Sequence, residues 1–468
     1  MRRNRIRALL VMALILLAVV LPIIFSGYSE LKKASISTTY SEAAQHYQSA
    51  AGHLPWRADL YELSGHAYYH AQEYTKADEA YKNAFQRKAL SSEGWVAWGD
   101  VNYLNKNPER AAEIWQQALE QQNPSEQLYS RLGQTYLEAG EYSKAADALQ
   151  RYVSTYSEDA AAHYQLGLLL TLMDQNAALS ELLTASQLDP QLDPAVQTLR
   201  TALNLAVLSD SASERFVIIG RGLGLINEWR LANAAFTEAL ASDESNAEAW
   251  AWLGEAKHHI GSLENVMTGQ VGSNELNQAL YLNPNSSVIR GLRGLNYQRS
   301  GNFRQALEEF EHAARLEPDN PAWQVSLGET YSKLGDLISA LDAYQQATTL
   351  APDDANYWRL LATFCAQNGV YIKDVGVPAA QHVVVMSKND STALDLLGWL
   401  LMLDARYEDA EKILTRALGL DPQNASAHVH FGMLYLQSNN RVDAYDHLVI
   451  ARDLGNTEAA ALLKQYFP

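Results

Sequence analysis

One cysteine, Cys365, is present in 468 residues, so neither an intramolecular disulfide nor a cysteine-based zinc site can form, and stability has to come from packing. Positive charge is scarce as well: 36 Lys and Arg stand against 54 Asp and Glu, a formal net charge of −18. Six of the basic residues (Arg2, Arg3, Arg5, Arg7, Lys32 and Lys33) fall in the first 33 positions beside a single acid, Glu30, which leaves 30 basic against 53 acidic residues in the rest. That field repels a phosphate backbone and no Lys/Arg stripe reverses it, so nucleic acid is excluded as a partner. Also missing are a Gly-rich phosphate loop, a nucleophile elbow and the His-Glu pair of a metalloprotease. Gly220, Gly222 and Gly224 imitate a dinucleotide fingerprint, yet Phe216, Gly220, Ala232 and Phe236 place them inside a repeated helix with no strand before it. His258 beside His259, and His428 two residues from His430, diverge on a helix and are poorly arranged to grip one metal. No catalytic residue, metal site or cofactor is expected.

What the chain does have at its start is an uncharged stretch from Ala8 to Phe25, preceded by four arginines. As a helix its 18 residues span about 27 Å, close to the thickness of a bilayer core. The positive-inside rule keeps the arginines in the cytoplasm and sends everything after residue 33 across the membrane. The competing reading is a cleaved signal peptide, with Gly27 and Ser29 flanking Tyr28 as a weak cleavage site. The stretch exceeds the roughly 7–15 residues of a signal-peptide core, which favours an uncleaved signal anchor in the cell membrane. No cysteine lies near its end, which excludes a lipoprotein.

The remainder repeats itself. Gly65, Gly99, Gly133 and Gly167 are 34 residues apart; Gly220 and Gly254 keep that interval, as do Gly294, Gly328 and Ala362, and again Gly398 and Gly432. Twelve residues after most of these stands an Ala, followed by a large residue four on and a second Ala three further: Ala77, Tyr81, Ala84; Ala111, Trp115, Ala118; Ala232, Phe236, Ala239; Ala306, Phe310, Ala313; Ala340, Tyr344, Ala347. Spacings of four and seven line up on one helix face, so the small residues admit a neighbouring helix and the large one fills the gap. Prolines 55, 190, 284, 318, 352 and 422 punctuate the turns, since proline lacks the amide donor that a continuing helix needs. Each unit therefore reads as two antiparallel helices and a short turn.

This pattern resembles the tetratricopeptide repeat family, and Trp323 to Pro352 carries it most completely, with Leu327, Gly328, Tyr331, Ala340, Tyr344, Ala347 and Pro352 in place. The resemblance covers about nine tenths of the chain. It implies an all-α, right-handed superhelical solenoid of about eleven helical hairpins, preceded by one transmembrane helix and by an orphan second helix with Ala43, Tyr47, Ala50 and Pro55. The expected parts are an anchor (1–33), a first repeat block (34–190), a joint with an extra helix (191–212), a second block (213–456) and a capping helix (457–468). Enlarged connections are expected at Ile260 to Gly272 and Asn368 to Val377, where long loops on a scaffold often meet partners.

Trp95, Trp115, Trp250 and Trp358 fall on faces that pack internally in such repeats. By the resemblance, first helices line a concave groove that holds partner peptides, and a Lys/Asn/Arg clamp for a terminal carboxylate marks the chaperone-binding members. Here the groove positions offer Glu62, His66, Tyr69, Asp100, Tyr103, Gln134 and Tyr164 instead, which suits a basic or polar peptide. In the second block Trp399, Met402, Met433 and Leu436 form an apolar set, either facing a partner helix or covered by the chain's own Ala459, Leu462, Leu463 and Tyr466. The expected function is a non-catalytic, membrane-anchored scaffold that binds peptides or proteins in envelope assembly or secretion. The alternative is an accessory subunit of a polysaccharide or cell-wall synthase.

Overall fold

The computed structural model describes residues 2–121, 125, 127–261 and 271–467, with side chains described from residue 17 onward. Among these residues the chain forms 26 α-helices, a 3-10 turn Pro190–Leu192 and a π turn Ile372–Gly376, and no strand. They fall into two compact units, Met1–Ser209 and Asp210–Pro468.

Within each unit the repeated glycine explains the pairing of helices. Sixteen residues after it comes the large side chain that packs on it: Tyr81 on Gly65, Trp115 on Gly99, Phe236 on Gly220, Phe310 on Gly294 and Tyr344 on Gly328. A β-carbon at any of these glycines would lie closer than 3.0 Å to that ring, so any larger residue would drive the two helices apart. The flanking Ala77, Ala84, Ala111, Ala118, Ala340 and Ala347 are buried, as their stripe requires.

The turns are equally systematic. Two residues beyond Pro284, Pro318, Pro352 and Pro422 stand Ser286, Asn320, Asp354 and Asn424, and each accepts a hydrogen bond from a backbone amide in the first turn of the next helix. Inside the hairpins the chain reverses through one left-handed residue, Gly140, Gly301 or Gly335 in some repeats and Gln72, Lys106, Ala405 or Asn439 in others.

Two expectations change. The helix Tyr40–His53 is not an orphan: the second half of Arg2–Ile36 packs against it, with Ile24 and Leu31 on the cluster of Ala50, Ala51, Leu54 and Leu60, and Glu30 bonded to His46 at 2.6 Å. Among the described residues the helical pairs thus number one more than the eleven read from the glycines, whose register position in this first pair is Leu31. The connection Asn368 to Val377 is not an open loop, because Val370, Ile372 and Val375 pack on the second unit's core and Gly376 abuts Cys365 and Leu400. Burial pushes the Cys365 thiol up to about 11, so it stays protonated. The extra helix is Asp193–Val207, buried along Val196, Leu199, Leu203 and Ala206 within the first unit.

Of the other enlarged connection, residues 262–270 lie outside the described residues. Arg2–Ile36 is continuous over its 35 residues. Among the described residues no helix is long and apolar enough to cross a membrane, and the side chains of residues 8–16 lie outside that description.

Candidate functional site

Helices that carry the repeated glycine also carry the candidate groove residues, and in the first unit these form a ladder from repeat to repeat. The Asp100 carboxylate accepts from Nε and Nη2 of Arg131 at 2.5 and 3.0 Å. Tyr103 donates to Glu138 at 2.7 Å, and Gln134, exposed one turn before, donates to the same carboxylate at 3.3 Å. The Tyr103 hydroxyl is accordingly held above its ordinary value, through that bond and then burial. Tyr164, on Ala160–Leu170, is half-buried.

Glu62, His66 and Tyr69 share one helix but not one role. Glu62 is buried and turned inward, accepting from the Ser91 amide at 2.9 Å and from the Ser91 hydroxyl, so it ties Asp59–His70 to the start of Ser92–Leu104. Burial pushes its carboxyl up, but the bonds from His66 and Ser91 outweigh this and leave it below the ordinary value. It is therefore unavailable to a partner. His66 accepts or donates with the Tyr81 hydroxyl at 2.9 Å and lines a cavity of about 570 Å³ with Tyr40, Tyr47, His70 and residues 34, 35 and 37–39. Tyr69 is half-buried with its ring 5.6 Å from His70.

In the second unit the apolar set divides. Met402 is buried at 6% exposure among the core side chains, so it offers no surface. Leu436 is half-buried on the cluster of Val429, Leu448, Ala451, Ala459 and Leu463, the last two from the C-terminal helix Thr457–Tyr466. Met433 packs on this cluster and on the main core. Trp399 stays half-exposed and stacks on His430, centroids 4.9 Å apart and planes 14° apart. His430 Nδ1 donates to Asp395 at 2.6 Å, and both side chains are buried. Arg359 reaches Asp390 at 2.7 Å and Thr392 at 3.0 Å. Arg359, Thr392, Asp395, Trp399, His430 and Met433 line a cavity of about 290 Å³.

Sequence reasoning missed Arg131, Glu138, Asp390, Asp395 and His430. The signal was an offset slightly off the repeat: Asp100 to Arg131 and Arg359 to Asp390 are 31 residues, Tyr103 to Glu138 and Asp395 to His430 are 35. One repeat of 34, shifted by a fraction of a helical turn, brings those positions face to face.

Four further tryptophans and His259 behave as packing. Trp95 and Trp115 are buried; Trp250 and Trp358 are half-buried, each donating its indole N–H to a carbonyl at the preceding turn. His259 stacks on Trp229 and bonds Glu255, which Arg299 holds at 2.7 Å. Among the described residues no cluster of three or more His, Cys, Asp or Glu is placed to hold a metal ion.

Models of the tetratricopeptide repeat match residues 103–169, 297–363 and 401–466, and a second such model matches 62–126 and 226–265. Among solved structures the chain is similar to the crystal structure of yeast Tom70, with 16% identity, 96% of this chain and 95% of that chain covered, and a TM-score of 0.39. It is similar also to the Cut9–Hcn1 hetero-tetramer of APC/C (14%, 95% and 95%, 0.38) and to Pseudomonas aeruginosa pilF (15%, 49% and 98%, 0.38). No curated protein matches its sequence.

Proposed function

The chain belongs to the tetratricopeptide repeat family, and from that premise we propose that it is a non-catalytic protein-interaction scaffold, tethered to the cell membrane by its N-terminal helix and working outside the cytoplasm in envelope assembly or secretion. The observation that carries the scaffold reading is the division of labour among side chains. Glycine, alanine and the large residue of each repeat are consumed by packing, while positions such as Asp100, Tyr103, Gln134 and Trp399 recur on first helices and keep exposed polar or aromatic surface. A row of such positions on stacked units is an extended surface for a polypeptide rather than a pocket for chemistry.

The tether rests on Arg2, Arg3, Arg5 and Arg7 ahead of Ala8 to Phe25, and on the exposure of Leu17, Val19, Leu21, Ile23 and Phe25. Because Ile24 and Leu31 of the same helix belong to the first repeat's core, the tether and the scaffold share one continuous helix.

Crosslinking in intact membranes followed by mass spectrometry tests the reading. Crosslinks from the first helices of the repeats to other proteins support it. Crosslinks confined to the N-terminal helix, or a chain recovered wholly in the soluble fraction, contradict the scaffold and the tether respectively.

A further inference from the structure

The 290 Å³ cavity in the second unit has a charge that its own groups do not balance. Arg359, on Ala355–Asn368, is spent on Asp390 and Thr392. Asp395, on Ser391–Leu403, lies 6% exposed and accepts from His430. Glu458, on Thr457–Tyr466, is exposed at the mouth and has no ion pair among the described residues. With Arg359 set against Asp390 and His430 against Asp395, Glu458 leaves the cavity with an unbalanced negative charge.

One wall is aromatic. His430 backs Trp399 on one side, and the half-exposed indole lines the cavity together with both carboxylates. A cation over an indole face is attracted by the ring quadrupole, and a neighbouring carboxylate adds a directed charge. The volume lies at the low end of ligand pockets, about 300–1,000 Å³, and so admits a side chain rather than a whole ligand.

We propose that this cavity takes an arginine side chain of the partner polypeptide, its guanidinium stacked on Trp399 and paired with Asp395 and Glu458. Arginine suits it better than lysine because a planar guanidinium can lie on the indole while its edge bonds a carboxylate. His430 acts through the others as a positioning residue: its one ring nitrogen orients Asp395 and its face supports Trp399. The assignment rests on the scaffold reading and names what this part of the surface recognises.

The probe is a fluorescent decapeptide of glycine and serine with one central arginine, titrated by anisotropy against the full-length chain in detergent micelles. Companion peptides carry citrulline or leucine at the same place. The arginine peptide should bind, the citrulline and leucine peptides about tenfold more weakly, and added salt should erode the difference. Trp399→Ala should lower affinity for the arginine peptide about tenfold. Glu458→Gln, a change at an exposed position that leaves the fold intact, should lower it severalfold with unchanged melting. Equal binding of the citrulline peptide, indifference to Glu458→Gln, or no binding of the arginine peptide at millimolar concentration overturns the assignment. If partner proteins still crosslink to first helices in that event, the scaffold reading stands without it; if those crosslinks fail too, both fall.

Discussion

Trp115 packs directly on Gly99, sixteen residues earlier, so closely that a β-carbon on the glycine would overlap the indole nitrogen, which donates to the Val96 carbonyl at 3.2 Å. Gly99→Ala should therefore displace the ring and its hydrogen bond together. The expected cost is about 1–3 kcal/mol by chemical denaturation, with hydrogen exchange rising first in residues 92–119. Gly52, with nothing within 4 Å of its missing β-carbon, is the opposite case. Gly52→Ala should stabilise its helix by up to about 1 kcal/mol, and equal effects at both sites would contradict the packing argument.

Ala405 reverses the chain at φ +58 where Gly335 does the same task at φ +81. A methyl group there meets the following carbonyl, a strain glycine lacks. Ala405→Gly should raise the unfolding free energy, measured by chemical denaturation, by about 0.5–1 kcal/mol despite the greater entropy of an unfolded glycine. Gly335→Ala should lower it by a similar amount. A loss of stability for Ala405→Gly would show that chain entropy outweighs the strain.

The ring nitrogens Nδ1 of His428 and His447 face each other at 2.8 Å, a contact that holds one proton between them. Burial, and then the neighbouring His428, hold His447 below its ordinary value of 6.5, while Asp443 and Asp446 oppose them weakly. The folded state thus resists the proton that the unfolded chain accepts. Stability present above pH 6.5 should be lost as pH falls below it. Thermal melts of wild type and His447→Gln between pH 7.5 and 5 should converge as the pH is lowered; parallel curves would remove the pair from this role.

Glu255 adds a second, more acidic window. Burial pushes its carboxyl up, but Arg299 and His259 pull it further down, so it is ionised in the fold below its ordinary value of 4.5. Its contribution is complete above pH 4.5 and disappears as the pH drops through the depressed value. Glu255→Gln should cost about 1–3 kcal/mol at neutral pH, and the cost should fade in acid.

Gly27 lets the N-terminal helix settle on Leu54 and His53, where a β-carbon would come as close as 2.5 Å. Gly27→Leu should lever this helix off Tyr40–His53. Hydrogen exchange should then rise over residues 40–70 with little change beyond residue 92, since repeats couple chiefly to their neighbours. A uniform rise across the first unit would mean that the helix supports the whole unit rather than its first repeat.

How far the fold could be read from sequence follows from what repeats. Gly328, Tyr344 and Pro352 recur because every hairpin must solve one packing problem and end in one kind of turn, so 34-residue periodicity exposes them. The pairing of Arg2–Ile36 with Tyr40–His53 was hidden because Gly27 stands one helical turn away from the repeat register, where its contact is Leu54 rather than Tyr47. The π turn at residues 372–376 was hidden for the same reason, being an insertion packed by local apolar side chains that no period predicts.

Composition and spacing alone thus determined the class of this protein: acidic, without disulfides, an all-helical array whose helices pair through glycine against a large residue, with an apolar stretch behind four arginines at its start. Only the tertiary structure decided which candidate side chains face outward. Glu62 and Met402 occupy positions that look like groove in the sequence, yet one caps a neighbouring helix and the other fills the core. Asp395 and His430 look like neither, yet they build the cavity beside Trp399. The reason is geometric: a period states how often a position recurs, whereas the rotation between one repeat and the next, set by how the helices pack, selects which recurring side chains meet and which are left to solvent.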